Sequence, residues 1–263
     1  MATKVSNRKE KSALEKVARK GLGKLDMVIA FDTTGSMAEY IEAVRKEVMD
    51  LIPKLFKTNE DLRLGIVAFG DYCDMKNAYE YGDAYQCLMP TNDEKKLIDF
   101  VRKSKDTSGG DGDEFYELVI HKIVHETPWC EGSTRSILLI SDAAPHPLGY
   151  SYRDFVVNNQ IDWREEAAKA EGMKVKIDTV SITNDPWYKE LSKMTGGVHL
   201  PFSSGYKTAR LVEATTWARG SSEAREMFDK AAHCFCLEDD VEMNAVYESL
   251  REERNNIWEE DDK

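Results

Sequence analysis

The sequence predicts an α/β protein with a Rossmann-like, doubly wound and mostly parallel sheet, flanked by helices and followed by a C-terminal helical extension. Three observations lead there. Apolar runs of strand length recur at Val28–Phe31, Gly65–Phe69 and Ile137–Ile140, and amphipathic stretches of helical period separate them. Each run stops at a loop of Asp, Gly, Ser or Thr, so polar side chains collect at the strands' C-terminal edge. In an open α/β sheet that edge is where ligands bind.

The first 23 residues form a separate N-terminal segment. Within it, Ser6 to Lys20 is basic and helix-prone, with a narrow apolar stripe at 13, 14, 17 and 18 and glycines at 21 and 23. A helix packed on the sheet suits it better than a nucleic-acid arm, because the rest of the chain is acidic. The central domain spans 24–218. Lys24 to Asp32 is its first strand, and Ser36 to about Asn59 its first helix, with apolar residues at 37, 41, 44, 48 and 51. Asp61 to Phe69 is a second strand, running into Gly70-Asp71-Tyr72. Residues 76 to 91 read as a hairpin around Gly82-Asp83, with Tyr79, Tyr81 and Tyr85 alternating. Thr91-Asn-Asp-Glu94 caps a helix reaching about Lys105.

A glycine-rich loop, Asp106 to Glu114, feeds the amphipathic helix Phe115 to Glu126. Ser133 to Asp142 is a third buried strand, and Ala-Ala-Pro-His-Pro after it is loop-forming. Helices follow at Asp154 to about Asn159 and at Trp163 to Glu171, then a strand from Lys174 to Ile182. Asp185-Pro-Trp opens a short helix with proline in its first turn, and Gly196 to Phe202 holds the last short strand. From Gly205 the pattern is helical, with breaks near Gly220 and around Phe235 to Asp239. The extension is assigned to 219–263, and Glu259 to Lys263 reads as a frayed acidic tail.

Composition narrows the function classes. The chain has 263 residues, 41% hydrophobic and 32% charged, with a net charge of −12. That charge repels phosphates and argues against nonspecific nucleic-acid binding. No stretch approaches the roughly 20 apolar residues of a membrane span, and the charged N-terminus lacks the apolar centre of a signal peptide. Five cysteines, at 73, 87, 130, 234 and 236, are odd in number and scattered. Without an export signal they read as reduced thiols of a cytoplasmic protein, a Cys73–Cys87 bridge being the alternative.

The chemistry concentrates at Asp32-Thr-Thr-Gly-Ser36. A buried strand delivers one carboxylate and the Thr34 and Ser36 hydroxyls to the sheet edge, with Gly35 letting the backbone turn. Hard oxygen donors without His or Cys suit Mg²⁺, Mn²⁺ or Ca²⁺. These residues resemble the D-x-[ST]-G-S signature of von Willebrand factor A (VWA) domains, which builds a metal-ion-dependent adhesion site (MIDAS). The resemblance implies that the sheet has one antiparallel edge strand, a slot that Tyr85 to Met89 fits. It also implies two more contributors in chain order. The second loop, Ser108-Gly-Gly-Asp111, resembles a Gly-Gly-Asp subset of the family, with Asp111 where many members carry Thr. The third is Asp142. The implied metal ligands are therefore Asp32, Thr34, Ser36, Asp111 and Asp142. In that family the ion's open face takes an acidic side chain of a partner protein.

The expected function is that of an intracellular, metal-dependent protein-binding module without catalysis of its own. Its partner would contact 70–73, 107–114 and 145–152. If Asp32, Asp111 and Asp142 all ligate one dication, the site carries about one net negative charge by simple counting, so it holds its ion and attracts a further carboxylate poorly. Alternatives are a regulatory subunit beside an ATPase or kinase, and a Mg²⁺-dependent phosphohydrolase. Asp71 reads equally as a carboxylate behind the metal shell or as a turn residue.

Other motifs are weaker. Gly109-Gly-Asp-Gly-Asp-Glu-Phe115 is an interrupted Gly-Gly-Asp-Glu-Phe cyclase signature. A haloacid-dehalogenase site would need Asp where Thr34 stands. His121 and His125, with Cys130 nearby, have zinc-compatible spacing but no third ligand of strong spacing. They are expected to be part-exposed helix residues. His146 is expected on the rim rather than as a proton carrier, and His233-Cys-Phe-Cys236 as helix packing.

Overall fold

The computed structural model describes residues 24–77, 80–152, 160–202, 205–220, 222–235 and 240–261. The expected helices at Ser6 to Lys20 and at 154–159 lie outside them, as do Asp262 and Lys263 of the tail, whereas Glu259 to Asp261 continue the last helix.

Strand β1 (Leu25–Asp32) is the centre of the sheet, and all eight of its residues are buried. Such a strand must be covered on both faces, which explains its unbroken apolar run. β1 pairs in parallel with β2 (Leu62–Phe69) on one side and with β5 (Thr134–Ser141) on the other. β7 (Val175–Ser181) and β8 (His199–Pro201) extend the sheet in parallel beyond β5. β3 (Tyr85–Thr91) joins β2 antiparallel at the opposite edge. Among the described residues the order is therefore β3-β2-β1-β5-β7-β8, the mostly parallel sheet with one antiparallel edge.

Strand parity sorts the core into two halves. Leu25, Met27, Ile29 and Phe31 face a cluster with α1 (Ile41–Thr58), α2 (Glu94–Lys103) and α6 (Gly205–Arg219). Val28 and Ala30 face the other cluster, with α3 (Tyr116–Glu126), α4 (Trp163–Gly172) and α5 (Pro186–Thr195). Asp32 continues the second parity, so its side chain leaves the strand toward α3.

Two local differences from the sequence pattern stand out. The described residues of 76 to 91 do not form a hairpin: Asn77 and Glu80 make an isolated bridge, Gly82–Ala84 is a 3₁₀ turn, and β3 finds its partner in β2. Pairing with an already buried strand outweighs a local hairpin. Second, a two-residue parallel pairing joins β4 (Asp113–Glu114) to β6 (Ala144–Pro145), tying the second loop to the third.

The C-terminal helices α7 (Ser222–Phe235) and α8 (Val241–Asp261) belong to the first core half through Phe228, Met243, Tyr247 and Leu250. Arg219 is buried and bonds Asp178 of β7, Ser136 of β5 and Glu253 of α8. Lys176 lies 3.3 Å from Glu253, so two cations face two carboxylates. This buried cluster fastens α6 and α8 to the sheet. Cys73, Cys87 and Cys130 are free thiols. Among the described residues no helix is long and apolar enough to cross a membrane.

Candidate metal centre

At the end of β1 the chain turns around the carboxylate of Asp32. The Thr34 N–H and the Thr34 hydroxyl both donate to its Oδ1, at 2.8 and 2.7 Å. Thr34 Oγ1 lies 3.2 Å from Ser36 Oγ, which is exposed. This side-chain-to-backbone turn is what an Asp followed by hydroxyl residues favours. Gly35 donates to the Ser108 carbonyl at 3.1 Å, and a Cβ on Gly35 would sit 3.0 Å from that oxygen. A glycine there lets the second loop lie against the first.

Further bonds strap these loops together. Thr107 donates its N–H to the Thr33 carbonyl at 2.9 Å, and the Thr33 hydroxyl donates to the Phe69 carbonyl at 2.8 Å. Asp74 accepts from the backbone N–H groups of Ser108 and Gly109, at 2.8 and 3.1 Å. Gly109 has φ +66°, and a Cβ on it would meet Glu114 Oε1 at 2.8 Å and Thr34 Cβ at 3.3 Å.

The third loop arrives on β5, the neighbour of β1. The Ser36 hydroxyl lies close enough to the Asp142 carboxyl to oppose the rise of its pKa. Thr183 donates to the Asp142 carbonyl at 2.7 Å, and Trp187 and Tyr188 donate to the Ala143 carbonyl at 2.9 and 2.6 Å. Tyr116, first residue of α3, joins the loops: its hydroxyl donates to Asp32 Oδ2 at 2.6 Å and accepts from the Ala143 N–H at 3.2 Å.

Asp32, Thr34 and Ser36 thus form one hydrogen-bonded group, and the Asp142 carboxyl lies beside it. Asp111 takes another direction. Its Oδ2 accepts from the Tyr150 hydroxyl at 3.0 Å, its Oδ1 from the Asp113 N–H at 3.2 Å, and it clusters with Asp71 and His146. Past Asp111 the β4–β6 pairing folds the chain inward. That pairing puts Glu114, 3% exposed, beside Thr34 and Gly109.

The electrostatics are those of carboxyl groups crowded without a counter-charge. Burial pushes Asp32 up to about 7, against hydrogen bonds from Tyr116 and Thr34, and the Asp142 charge adds to the rise. Glu114 is pushed up to about 10 by burial and by the charges of Asp32, Asp71, Asp74 and Asp142. Asp142 is raised by burial, with the Ser36 hydroxyl opposing. Asp142 Oδ1 and Glu114 Oε2 are buried without a hydrogen-bond partner. Unpartnered buried carboxylate oxygens are costly, and a hard dication among them would relieve both the charge and the missing partners. The donor set is all oxygen, so the residues present fit such an ion.

Tyr116 and Asp74 escaped the sequence reading as parts of the site, with Glu114 expected only as the last residue of the 107–114 rim. Glu114 carried a faint signal as the last acid of Asp111-Gly-Asp-Glu114, yet only the β4–β6 pairing turns it inward. Asp71 is buried and caps a 3₁₀ turn through Cys73. It also accepts from His146 Nε2 at 2.7 Å, and the Tyr150 ring stacks on that imidazole at 3.6 Å. His146, expected on the rim, is buried at 4% exposure; burial opposes its charge, but the Asp71 carboxylate outweighs that and raises its pKa. His121 and His125 are part-exposed on α3, as expected. His233-Cys-Phe-Cys236 lies outside the described side chains.

Compared with known proteins, residues 26–212 match the family model described as von Willebrand factor type A domain. None of the curated proteins matches the chain.

Proposed function

Because the chain belongs to the von Willebrand factor type A domain family, we propose that it is a metal-dependent protein-binding module without catalysis of its own. Asp32, Thr34, Ser36 and Asp142 would hold a divalent cation, Mg²⁺ first and Mn²⁺ or Ca²⁺ as alternatives. The bound ion supplies a Lewis-acidic face to which a partner's carboxylate adds. The single observation that carries this reading is the unpartnered Asp142 Oδ1, buried beside the hydrogen-bonded group of the other three.

Each residue of the chain has a part in this reading. Thr34 and Ser36 orient their oxygens through the turn around Asp32. Tyr116 fixes the Asp32 carboxylate from behind, as a partner to a ligand does in other metal sites. Glu114, whose raised pKa a bound dication would bring down, would then add negative charge next to the ion and limit how strongly a second carboxylate is drawn in. Beside the rim an open cleft of ≈ 370 Å³ runs between the third loop and α4, and Leu148 stands 61% exposed at its lip. An apolar residue at the mouth of a cleft beside a cation suits a protein partner.

Asp111 belongs to the Gly-Gly-Asp variant of the second loop. To ligate the ion directly it would leave Tyr150. Asp111→Thr separates the cases: direct ligation predicts at least a tenfold change in Mg²⁺ affinity, and the Tyr150-bonded arrangement predicts little change.

The reading is tested by affinity purification of the parent and of Asp142→Ala, each in Mg²⁺ and in EDTA. A partner captured by the parent in Mg²⁺, and lost in EDTA and with the variant, is expected. Identical capture in all four samples refutes the proposal. Recovery of an ATPase or kinase would mark the chain as its regulatory subunit. No particular observation favours a phosphohydrolase, since the main groups acting on Asp32 and Glu114 are hydroxyls and other carboxyls, with no lysine or arginine among them.

A further inference from the structure

Away from the sheet edge, the folded chain supplies the third ligand that the His121/His125 spacing lacks. The two histidines are one helical turn apart on α3, so their imidazoles share a face, with ring centroids 4.7 Å apart. Glu166 of the neighbouring helix α4 reaches into that face with a side chain only 3% exposed. Its Oε2 lies 2.9 Å from His125 Nε2 and 3.2 Å from His121 Nδ1, and the three ligand atoms lie within 4.8 Å of one another. We propose that His121, His125 and Glu166 form a second metal site, selective for a borderline transition ion such as Zn²⁺, that clamps α3 to α4.

The geometry favours an ion over a plain ion pair. Zn²⁺ bonds of about 2.1 Å in a tetrahedral arrangement put ligand atoms about 3.4 Å apart. The observed separations of 2.9 and 3.2 Å need to open by only a few tenths of an ångström. One carboxylate oxygen is shared by two rings, and His121 Nδ1 is buried without an aligned hydrogen bond. A metal accepts both nitrogens and the oxygen at once. Lys169 Nζ bonds the other oxygen, Oε1, at 2.7 Å and so fixes the carboxylate, while its charge tempers the affinity. Glu166 keeps its carboxyl below the usual range: burial opposes this, but the bonds from Lys169 and His125 and the nearby His121 imidazole outweigh it.

Two nitrogens and one oxygen select Zn²⁺, Co²⁺, Ni²⁺ or Cu²⁺ over Mg²⁺. The site shares no ligand with the oxygen-only centre: Tyr116 reaches Asp32 from the first turn of α3, and His125 lies about 13 Å further along at 1.5 Å per residue. The imidazoles are 39% and 35% exposed, so a fourth position opens to solvent and would take water or a partner's donor.

The test uses the chelator-stripped full chain, titrated with Zn²⁺ against a chromophoric chelator and separately with Co²⁺ in the visible range. The parent is expected to take up one Zn²⁺ that the variant His121→Ala/His125→Ala binds at least tenfold more weakly, and to show four-coordinate Co²⁺ bands that the variant lacks. Mg²⁺ uptake stays equal in the two proteins. Should the double variant fail to fold by circular dichroism, His125→Asn alone makes the same comparison at a part-exposed position. Zn²⁺ uptake and Co²⁺ spectra indistinguishable between the parent and a folded variant overturn the proposal.

Discussion

Replacing Asp32 by Asn should make the metal-free protein more stable while abolishing its response to Mg²⁺. In the folded chain burial raises Asp32 from its ordinary 3.8 to about 7. A carboxyl raised in this way contributes stability that is complete below pH 3.8 and is lost as pH rises through 7. Three pH units at about 1.4 kcal/mol each amount to roughly 4 kcal/mol lost by pH 8. Asparagine has no charge to bury, retains an acceptor for Thr34, and presents an amide to Tyr116, which costs about 1 kcal/mol for the altered hydrogen bond.

The variant should therefore exceed the parent by about 3 kcal/mol at pH 8 in EDTA, which is roughly 6–12 °C in melting temperature for a chain of this size. Toward pH 4 the order should reverse, the variant falling about 1 kcal/mol below the parent because only the altered hydrogen bond remains. Adding Mg²⁺ at a hundred times its dissociation constant should raise the parent by about 2.7 kcal/mol and the variant by nothing. Urea unfolding of both proteins at pH 4, 6 and 8, with EDTA or Mg²⁺, gives the complete grid. An Asp32→Asn protein less stable than its parent at pH 8 in EDTA would refute the burial argument, and equal Mg²⁺ stabilisation of the two would refute the metal assignment.

Ser36→Ala removes an exposed hydroxyl, so its melting temperature should match the parent while calorimetry finds Mg²⁺ bound about tenfold more weakly, a loss of about 1.4 kcal/mol. Gly109→Ala forces a Cβ onto a backbone at φ +66° and within 2.8 Å of Glu114 Oε1; denaturant unfolding should show a cost of about 1–3 kcal/mol. Arg219→Met leaves Asp178 and Glu253 buried with only Lys176 nearby. It should destabilise by about 3–5 kcal/mol, and a chain ended at 218 should show no cooperative unfolding, since it also loses Phe228 and Tyr247 from the core.

The last of these bears on a boundary that sequence patterning could not draw. Placing the break at 218 followed a change of rhythm near Gly220, but rhythm reports local backbone preference and not what an element packs against. Arg219 looks like any helix-terminal cation in the sequence. Only the approach of β7 and α8 from 41 residues before and 34 after turns it into a buried partner of Asp178 and Glu253.

The sequence by itself located the strands of the six-stranded sheet, its mostly parallel character and the turn at Asp32-Thr-Thr-Gly-Ser36. Apolar runs, helical spacing and a carboxylate followed by hydroxyls are short-range features whose physics acts within a few residues. The tertiary structure alone decided what closes around that turn. Tyr116 meets Asp32 across 84 positions, Glu114 turns inward through a two-residue pairing with the third loop, and Asp111 is drawn to Tyr150. The same holds for Glu166, which reaches His125 from 41 positions away. A side chain on a glycine-rich loop or a helix face points wherever its distant partners compete best for it, and that competition exists only once the chain has folded.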